Sequence, residues 1–421
     1  MTAPGQGSTY FRKGFGLKGE VESTLAADYD GSLVELLRER DHSLTVGDVT
    51  VRLAREFGFC YGVERAVEYA YQTRRKFPDR RILLVGEIIH NPHVNRKLGE
   101  MGIEILEPAH DADGKPVFDY SGVTPQDVVI LPAFGVTIRD FETLRELGCI
   151  VVDTTCGSVL NVWKRVDSYA RDGLTALIHG KHYHEETRAT ASQVERYPGG
   201  AYIVVRDMTE AQLVCAYIEG KGSREELLAR FGRATSAGFD PDTHLRRIGV
   251  ANQTTMLARE SLAIGEEVGR AIARRHGEEY RELNFRTFDT ICSATQDRQD
   301  AVQELLCESL DLMVVIGGYN SSNTISLAAL CAERVPTYHI EDATSIDPLE
   351  RSIRYRPAGI AHSEEATTDW MPSAGTVRIG LTAGASTPNN KIGETVARIF
   401  ATRDIDVRET GIADHEPMAD R

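Results

Sequence analysis

The sequence predicts an α/β fold of parallel sheets covered by helices, on three observations. Short, continuous apolar runs recur along the chain from about residue 50. Amphipathic helical stretches separate most of them, and the turns closing the runs are small and polar. Continuous apolar strands alternating with helices are the pattern of sheets buried on both faces.

In chain order, the first segment stands outside this rhythm. Leu33, Leu36 and Leu37 in LVELLRER (33–40) are spaced for one face of a helix, which predicts an ordered extension over residues 1–49. The predicted strands are VRLAREF (51–57), ILLVGEII (82–89), DVVILPAF (127–134), CIVVDTT (149–155), TALIHG (175–180), AYIVVR (201–206), RIGVANQ (247–253), DLMVVIGG (311–318), PTYHI (336–340) and TVRIGLTAG (376–384). VERAVEYAYQTRRKF (63–77) and TIRDFETLREL (137–147) are examples of the helices between them. Residues 218–246 carry Gly and Pro without a strand signal and read as a surface insertion with one helix at 224–231. The acidic tail from about 404 reads as mobile.

Composition excludes some function classes. A formal net charge of −15 argues against a nucleic-acid binder and against docking on an acidic membrane surface. No stretch approaches the ~20 apolar residues of a membrane-spanning helix. The first residues lack an apolar signal core, and Glu20, Glu22, Asp28 and Asp30 do not suit a transit peptide. The expectation is a cytoplasmic protein, or a plastid stromal one if a transit peptide has been removed. Seven cysteines in a reducing compartment are then core residues, metal ligands or catalysts rather than disulfides.

Ligands of doubly wound folds bind beyond the carboxyl ends of the strands. Those turns read GFCYG (58–62), IIHNP (88–92), AFGVT (133–137), DTTCGS (153–158), HGKHYHEE (179–186), NQTT (252–255), TICSAT (290–295), GGYNSSN (317–323) and TAGASTPNN (382–390). Nearly all hold Cys, His, Glu, Ser, Thr or Asn, which packing does not require and a shared site does. Cys60, Cys156 and Cys292 each stand at a strand end before a helix, whereas Cys149, Cys215, Cys307 and Cys331 fall in apolar segments and read as core. Three thiolates suit zinc or iron–sulfur. Structural zinc usually closes with four ligands, so a set of three leaves a position open for substrate. Ser321, Ser322, Asn323 and Ser386 precede helices, where free N–H groups and the dipole favour phosphate, although such residues also serve simply as caps. His90 and His184 can add donors to the same anion. Glu186 is the best proton donor for a departing water, with Thr254 and Thr255 placed to relay it.

GFCYGVERAV, EIIHNP, PAFG, VDTTC, IHGKHYHEETRATAS, GFDPD, ANQTTM, TICSATQDRQDAV, NSSNT and TAGAST together resemble the 4-hydroxy-3-methylbut-2-enyl diphosphate reductase family, from about residue 50 to 400 and in order. RKGFG and the 218–246 segment are similar to its longer plant and cyanobacterial branch. The resemblance implies three pseudo-symmetric α/β domains with small, mainly parallel sheets, arranged as a trefoil around a central 4Fe–4S cluster. Their expected limits are 50–156, 157–290 and 291–400, followed by the tail 401–421. It implies Cys60, Cys156 and Cys292 as the three ligands, with the fourth, apical iron open to the substrate's hydroxyl oxygen. The diphosphate falls to His90, His184, Ser321, Ser322, Asn323 and Ser386, with Thr254 also at the substrate. Proton delivery falls to Glu186 with Thr254. Electrons are expected from a ferredoxin or flavodoxin, and the products are isopentenyl and dimethylallyl diphosphate. Two positions depart from the pattern: Phe134 stands where many bacterial members have His, and Gly157 where Pro usually follows the cysteine. The rival readings are a non-catalytic iron–sulfur sensor or anion-binding module, and a zinc hydrolase with Glu186 as base.

Overall fold

The computed structural model describes residues 9–111, 116–359 and 363–407. All ten predicted strands are present, their cores shortened by one to four residues at the turns. The described residues fall into two compact units.

The first unit comprises residues up to 17, 65–89 and 95–292, and holds two parallel sheets beside a two-stranded antiparallel one of Ala109–His110 and Pro116–Val117. One has the order Tyr10–Phe11, Ile150–Asp153, Val128–Leu131, Ile82–Val85, Ile103–Leu106, with every pairing parallel. The other runs Tyr202–Val205, Thr175–His179, Ile248–Asn252, Phe285–Thr287, also wholly parallel. The strands Thr175–His179 and Ile248–Asn252 are buried along their whole length, as a sheet covered on both faces requires. Against Gly249 lies the ring of Tyr169, where any Cβ would collide; the Tyr169 hydroxyl donates to the Val250 carbonyl at 2.9 Å.

The second unit comprises residues 18–64, 90–94 and 293 onward. Its main sheet has the order Thr337–Ile340, Leu312–Ile316, Val377–Ala383, Val49–Leu53, Ser43–Val46. Only the last pairing is antiparallel. The strand Val49–Leu53, first of the predicted series, therefore pairs with Val377–Leu381, late in the chain. A small antiparallel sheet of Ile346–Asp347, Ser352–Tyr355 and Glu365–Thr367 went unpredicted, because its strands are only two to four residues long, too short for a periodic signal.

The N-terminal extension is ordered over its described residues, as the leucine spacing predicted. Helix Ser32–Glu39 buries Leu33, Val34, Leu36 and Leu37. Val34 and Leu37 are wholly inaccessible, so truncating Leu37 to Ala costs about 2–5 kcal/mol. The helix at 224–231 forms as expected, but it is not merely a surface element. Leu227 and Phe231 enter the core with Phe239 and Leu245, a packing that the polar local sequence hid. The tail beyond residue 407 lies outside the described residues. Among the described residues, no helix is long and apolar enough to cross a membrane.

Candidate functional site

The three strand-end cysteines share one local plan. Each is the residue immediately before a helix: Tyr61–Lys76, Gly157–Arg171 and Ser293–Leu305. Each donates its backbone N–H to a carbonyl two residues past the end of a strand. Cys60 bonds Ala385 at 3.2 Å, after Val377–Ala383. Cys156 bonds Ala133 at 3.0 Å, after Val128–Leu131. Cys292 bonds Thr254 at 3.3 Å, after Ile248–Asn252. A helix start favours negative charge, as a thiolate ligand needs. All three are half-buried. By contrast Cys149, Cys215 and Cys331 are buried, and burial pushes their thiols up to about 11, 12 and 12 respectively, which favours the protonated form. The core reading fails for Cys307, which is exposed: its helix ends at Leu305, and the following turn points the side chain outward, its Sγ 3.3 Å from the Gln303 carbonyl. Each of the three strand-end cysteines thus has a setting, half-buried at a helix start, that suits a thiolate ligand.

In the first unit one chain of contacts joins the predicted residues. Phe134, next to Ala133, sets its ring edge-on to His184 with centroids 5.6 Å apart. His184 caps helix Glu185–Ala191, its Nδ1 accepting the Glu186 N–H at 3.2 Å. An accepting Nδ1 leaves the proton of a neutral imidazole on Nε2, so His184 is a donor through that atom. Glu186 is 1% exposed, and its Oε1 accepts the Thr254 N–H at 2.6 Å. Thr254 in turn offers its carbonyl to Cys292.

Gln253 was not singled out from the sequence, yet it ties these turns together. Its Oε1 accepts from the Lys181 N–H at 3.1 Å and the Thr187 hydroxyl at 3.0 Å, and its Nε2 donates to Thr255 Oγ1 at 2.9 Å. Tyr10 and Asp153 were also missed. The Tyr10 hydroxyl donates to Asp153 Oδ2 at 2.5 Å, while Asp153 Oδ1 accepts the Thr155 N–H at 2.9 Å, one residue before Cys156. Only the polar strand-end position of Asp153 signalled it in the sequence. Gly157 opens its helix with nothing within 4 Å of where a Cβ would lie.

In the second unit the predicted hydroxyl and amide turns lie together. The Ala385 residue that receives Cys60 also donates its own N–H to Asn323 Oδ1 at 2.9 Å. This fixes the Asn323 amide, whose Nδ2 is buried with no partner among the described residues, a donor in want of an acceptor. Ser321 caps helix Ser322–Ala332, accepting the Thr324 N–H at 3.4 Å, which leaves its O–H proton to give. Ser386 donates to the His90 carbonyl at 3.1 Å, so that hydroxyl must turn to serve an anion. The same His90 carbonyl would meet a Cβ on Gly318 at 2.5 Å, so only glycine permits the close approach. His90, Ser321, Ser322, Asn323 and Ser386 are all buried. The buried, unpartnered amide donor suits an anionic group.

Known proteins are similar to this chain over most of its length. The family described as LytB protein matches residues 51–400. A 4-hydroxy-3-methylbut-2-enyl diphosphate reductase of Gloeobacter violaceus is 48% identical over 404 residues, covering 95% of this chain and 94% of the relative. One from Synechococcus sp. (strain RCC307) is 48% identical over 392 residues, covering 93% of each. A solved structure of (E)-4-hydroxy-3-methyl-but-2-enyl diphosphate reductase, described as the terminal enzyme of the non-mevalonate pathway, aligns at a TM-score of 0.50 and 28% identity over 83% of this chain and 98% of that one. The reductase of Plasmodium falciparum shares the fold at a TM-score of 0.59 and 20% identity, covering 83% of this chain and 87% of that one. With half-buried cysteines at equivalent helix starts and a family match spanning nearly every strand, the chain belongs to the LytB family.

Proposed function

We propose that Cys60, Cys156 and Cys292 hold the 4Fe–4S cluster with which this chain carries out its family's reaction. That reaction is the reductive dehydroxylation of 4-hydroxy-3-methylbut-2-enyl diphosphate to isopentenyl and dimethylallyl diphosphate. The observation that carries the assignment is the shared plan of the three cysteines, each before a helix and each bonded to a carbonyl two residues past a strand. When bound, the cluster supplies electrons and, at its non-cysteine iron, a Lewis-acidic position for the substrate's hydroxyl oxygen.

The protein's own residues do the rest. Asn323 Nδ2, the Ser321 and Ser322 hydroxyls, Ser386, His90 and the Nε2–H of His184 donate to the diphosphate, placing the allylic end for reaction. Glu186, closed off from bulk water, delivers a proton to the leaving hydroxyl. The Thr254 N–H orients its carboxyl, and the Thr254 side chain lies at the substrate. Two electrons and two protons enter, the C–O bond breaks and water leaves. A non-catalytic sensor would not need the buried Glu186–Thr254 pair. We read each main sheet with its helices as one of three α/β domains, near the limits 50–156, 157–290 and 291–400, with Val49–Leu53 contributed to the third sheet. The electrons come from a ferredoxin or flavodoxin in the cytoplasm, or in a plastid stroma if a transit peptide is removed.

The test is anaerobic purification with iron analysis and turnover of the allylic diphosphate. A brown protein that turns over with a chemical reductant is expected. Replacing any of Cys60, Cys156 or Cys292 by Ser should remove most iron, while Cys149→Ala, Cys215→Ala and Cys331→Ala should keep it. Iron loss in one of the latter three equal to that in the first would overturn the ligand set.

A further inference from the structure

Arg298, on helix Ser293–Leu305, is 3% exposed. Its Nη2 donates to the Gly58 carbonyl at 2.7 Å and reaches the Phe57 carbonyl at 3.5 Å, and its Nη1 bonds the Ala294 carbonyl at 2.8 Å. Its Nε has no partner, and no carboxylate lies within ion-pair distance among the described residues. The same unit offers a contrast in Arg403, whose side chain is 7% exposed but pairs with Asp48 at 2.8 Å. Removing a guanidinium from water without an anion is costly, and partial charges on carbonyls offset only part of that cost. A buried cation kept without a counter-ion points to an anion that binds there.

The place of Arg298 identifies that anion. Gly58 lies two residues before Cys60 in a left-handed turn with φ of +67°. Its N–H is held by the Ala383 carbonyl, and Cys60 N–H by Ala385. Arg298 completes the clamp by taking the Gly58 and Phe57 carbonyls. We propose that Arg298 is a positioning residue for the iron–sulfur centre, which fixes the Phe57–Cys60 turn and whose unpaired charge favours the reduced, more negative cluster. This rests on the reading of Cys60 as a ligand. Cluster potential is set by nearby charge, hydrogen bonding and exposure, and charge acts strongly where the surroundings are dry.

The experiment compares cluster-loaded full-length protein as wild type, Arg298→Lys, Arg298→Gln and Arg403→Gln, by anaerobic redox titration followed by absorbance and electron paramagnetic resonance. Arg298→Gln should shift the midpoint potential to more negative values. Arg298→Lys, which keeps the charge, should stay near wild type while releasing iron faster to a chelator, because a compact ammonium does not reproduce the planar fork that takes the Ala294 and Gly58 carbonyls through two separate nitrogens. Arg403→Gln should lose stability with the potential unchanged. Should Arg298→Gln hold too little iron to titrate, iron content after identical reconstitution takes the place of the potential, with the same order of wild type and Lys above Gln. Equal behaviour of the Lys and Gln variants, or a Gln variant at the wild-type potential, overturns the proposal. Failure of the underlying ligand reading shows separately, as full iron retained in Cys60→Ser.

Discussion

The Glu186 carboxylate and the Thr254 N–H meet at 2.6 Å across 68 residues of sequence, joining the turn after one strand to the turn after its neighbour. Thr254 passes the connection on to Cys292 through its carbonyl. Glu186→Gln keeps the shape and an acceptor for Thr254 but carries no acidic proton. Substrate affinity should stay near wild type while turnover falls about a hundred- to ten-thousandfold. Rates within a few-fold of wild type, at equal iron content, would remove Glu186 from the mechanism.

The turn before Cys156 depends on the N-terminal extension. Tyr10 and Phe11 pair with Val151 and Val152, and the Tyr10 hydroxyl occupies one oxygen of Asp153 while the other holds Thr155. Tyr10→Phe removes one charge-assisted bond, worth on the order of 1.5–3 kcal/mol, and should speed iron release to a chelator. Gly157→Pro should act in the opposite direction. Proline suits the first helical position, the site has open space, and a less flexible unfolded chain adds about 0.4–1 kcal/mol of stability. Iron release at wild-type rate in Tyr10→Phe would show that Asp153 holds the turn unaided.

Phe134 meets His184 through an edge-on ring contact, so it orients the imidazole and donates nothing itself. His184→Ala and His90→Ala should each raise the substrate's dissociation constant roughly ten- to a hundredfold, the effect of one charge-assisted hydrogen bond. Phe134→Leu keeps apolar bulk against His184 and should change affinity far less. Phe134→His should fold normally. Affinities measured at equal cluster content decide it: a Phe134→Leu loss as large as the histidine variants would make Phe134 a direct substrate contact.

Acid should destabilise the fold through two histidines remote from the cysteines in sequence. His179, with Nδ1 2.8 Å from Ser261 Oγ, and His339, with Nε2 2.9 Å from the Gly317 carbonyl, are both held neutral by burial, which lowers each pKa to about 4. The unfolded chain binds these protons near 6.5, so it takes them up as pH falls while the folded state does not. Their contribution is therefore present above pH 6.5 and lost between 6.5 and 4, on the order of 3 kcal/mol for each. Denaturant midpoints at pH 7 and 4.5 should show this loss, and His179→Phe should flatten it. An unchanged pH slope in that variant would place the acid sensitivity elsewhere.

What the sequence by itself determined is local. Apolar runs located all ten predicted strands, because a strand buried on both faces must be continuously apolar, as in Thr175–His179. Strand-end position separated Cys60, Cys156 and Cys292, which are half-buried, from the buried thiols of Cys149, Cys215 and Cys331. The tertiary structure decided what depends on partners distant in the chain. It paired Val49–Leu53 with Val377–Leu381, brought Tyr10 to Asp153, and set Arg298 against the carbonyls of Phe57 and Gly58 some 240 residues away. It also exposed Cys307 and buried Phe231, against their local surroundings. Strand pairing is chosen by the whole sheet, and a buried polar group is stable only beside the partner that folding brings to it.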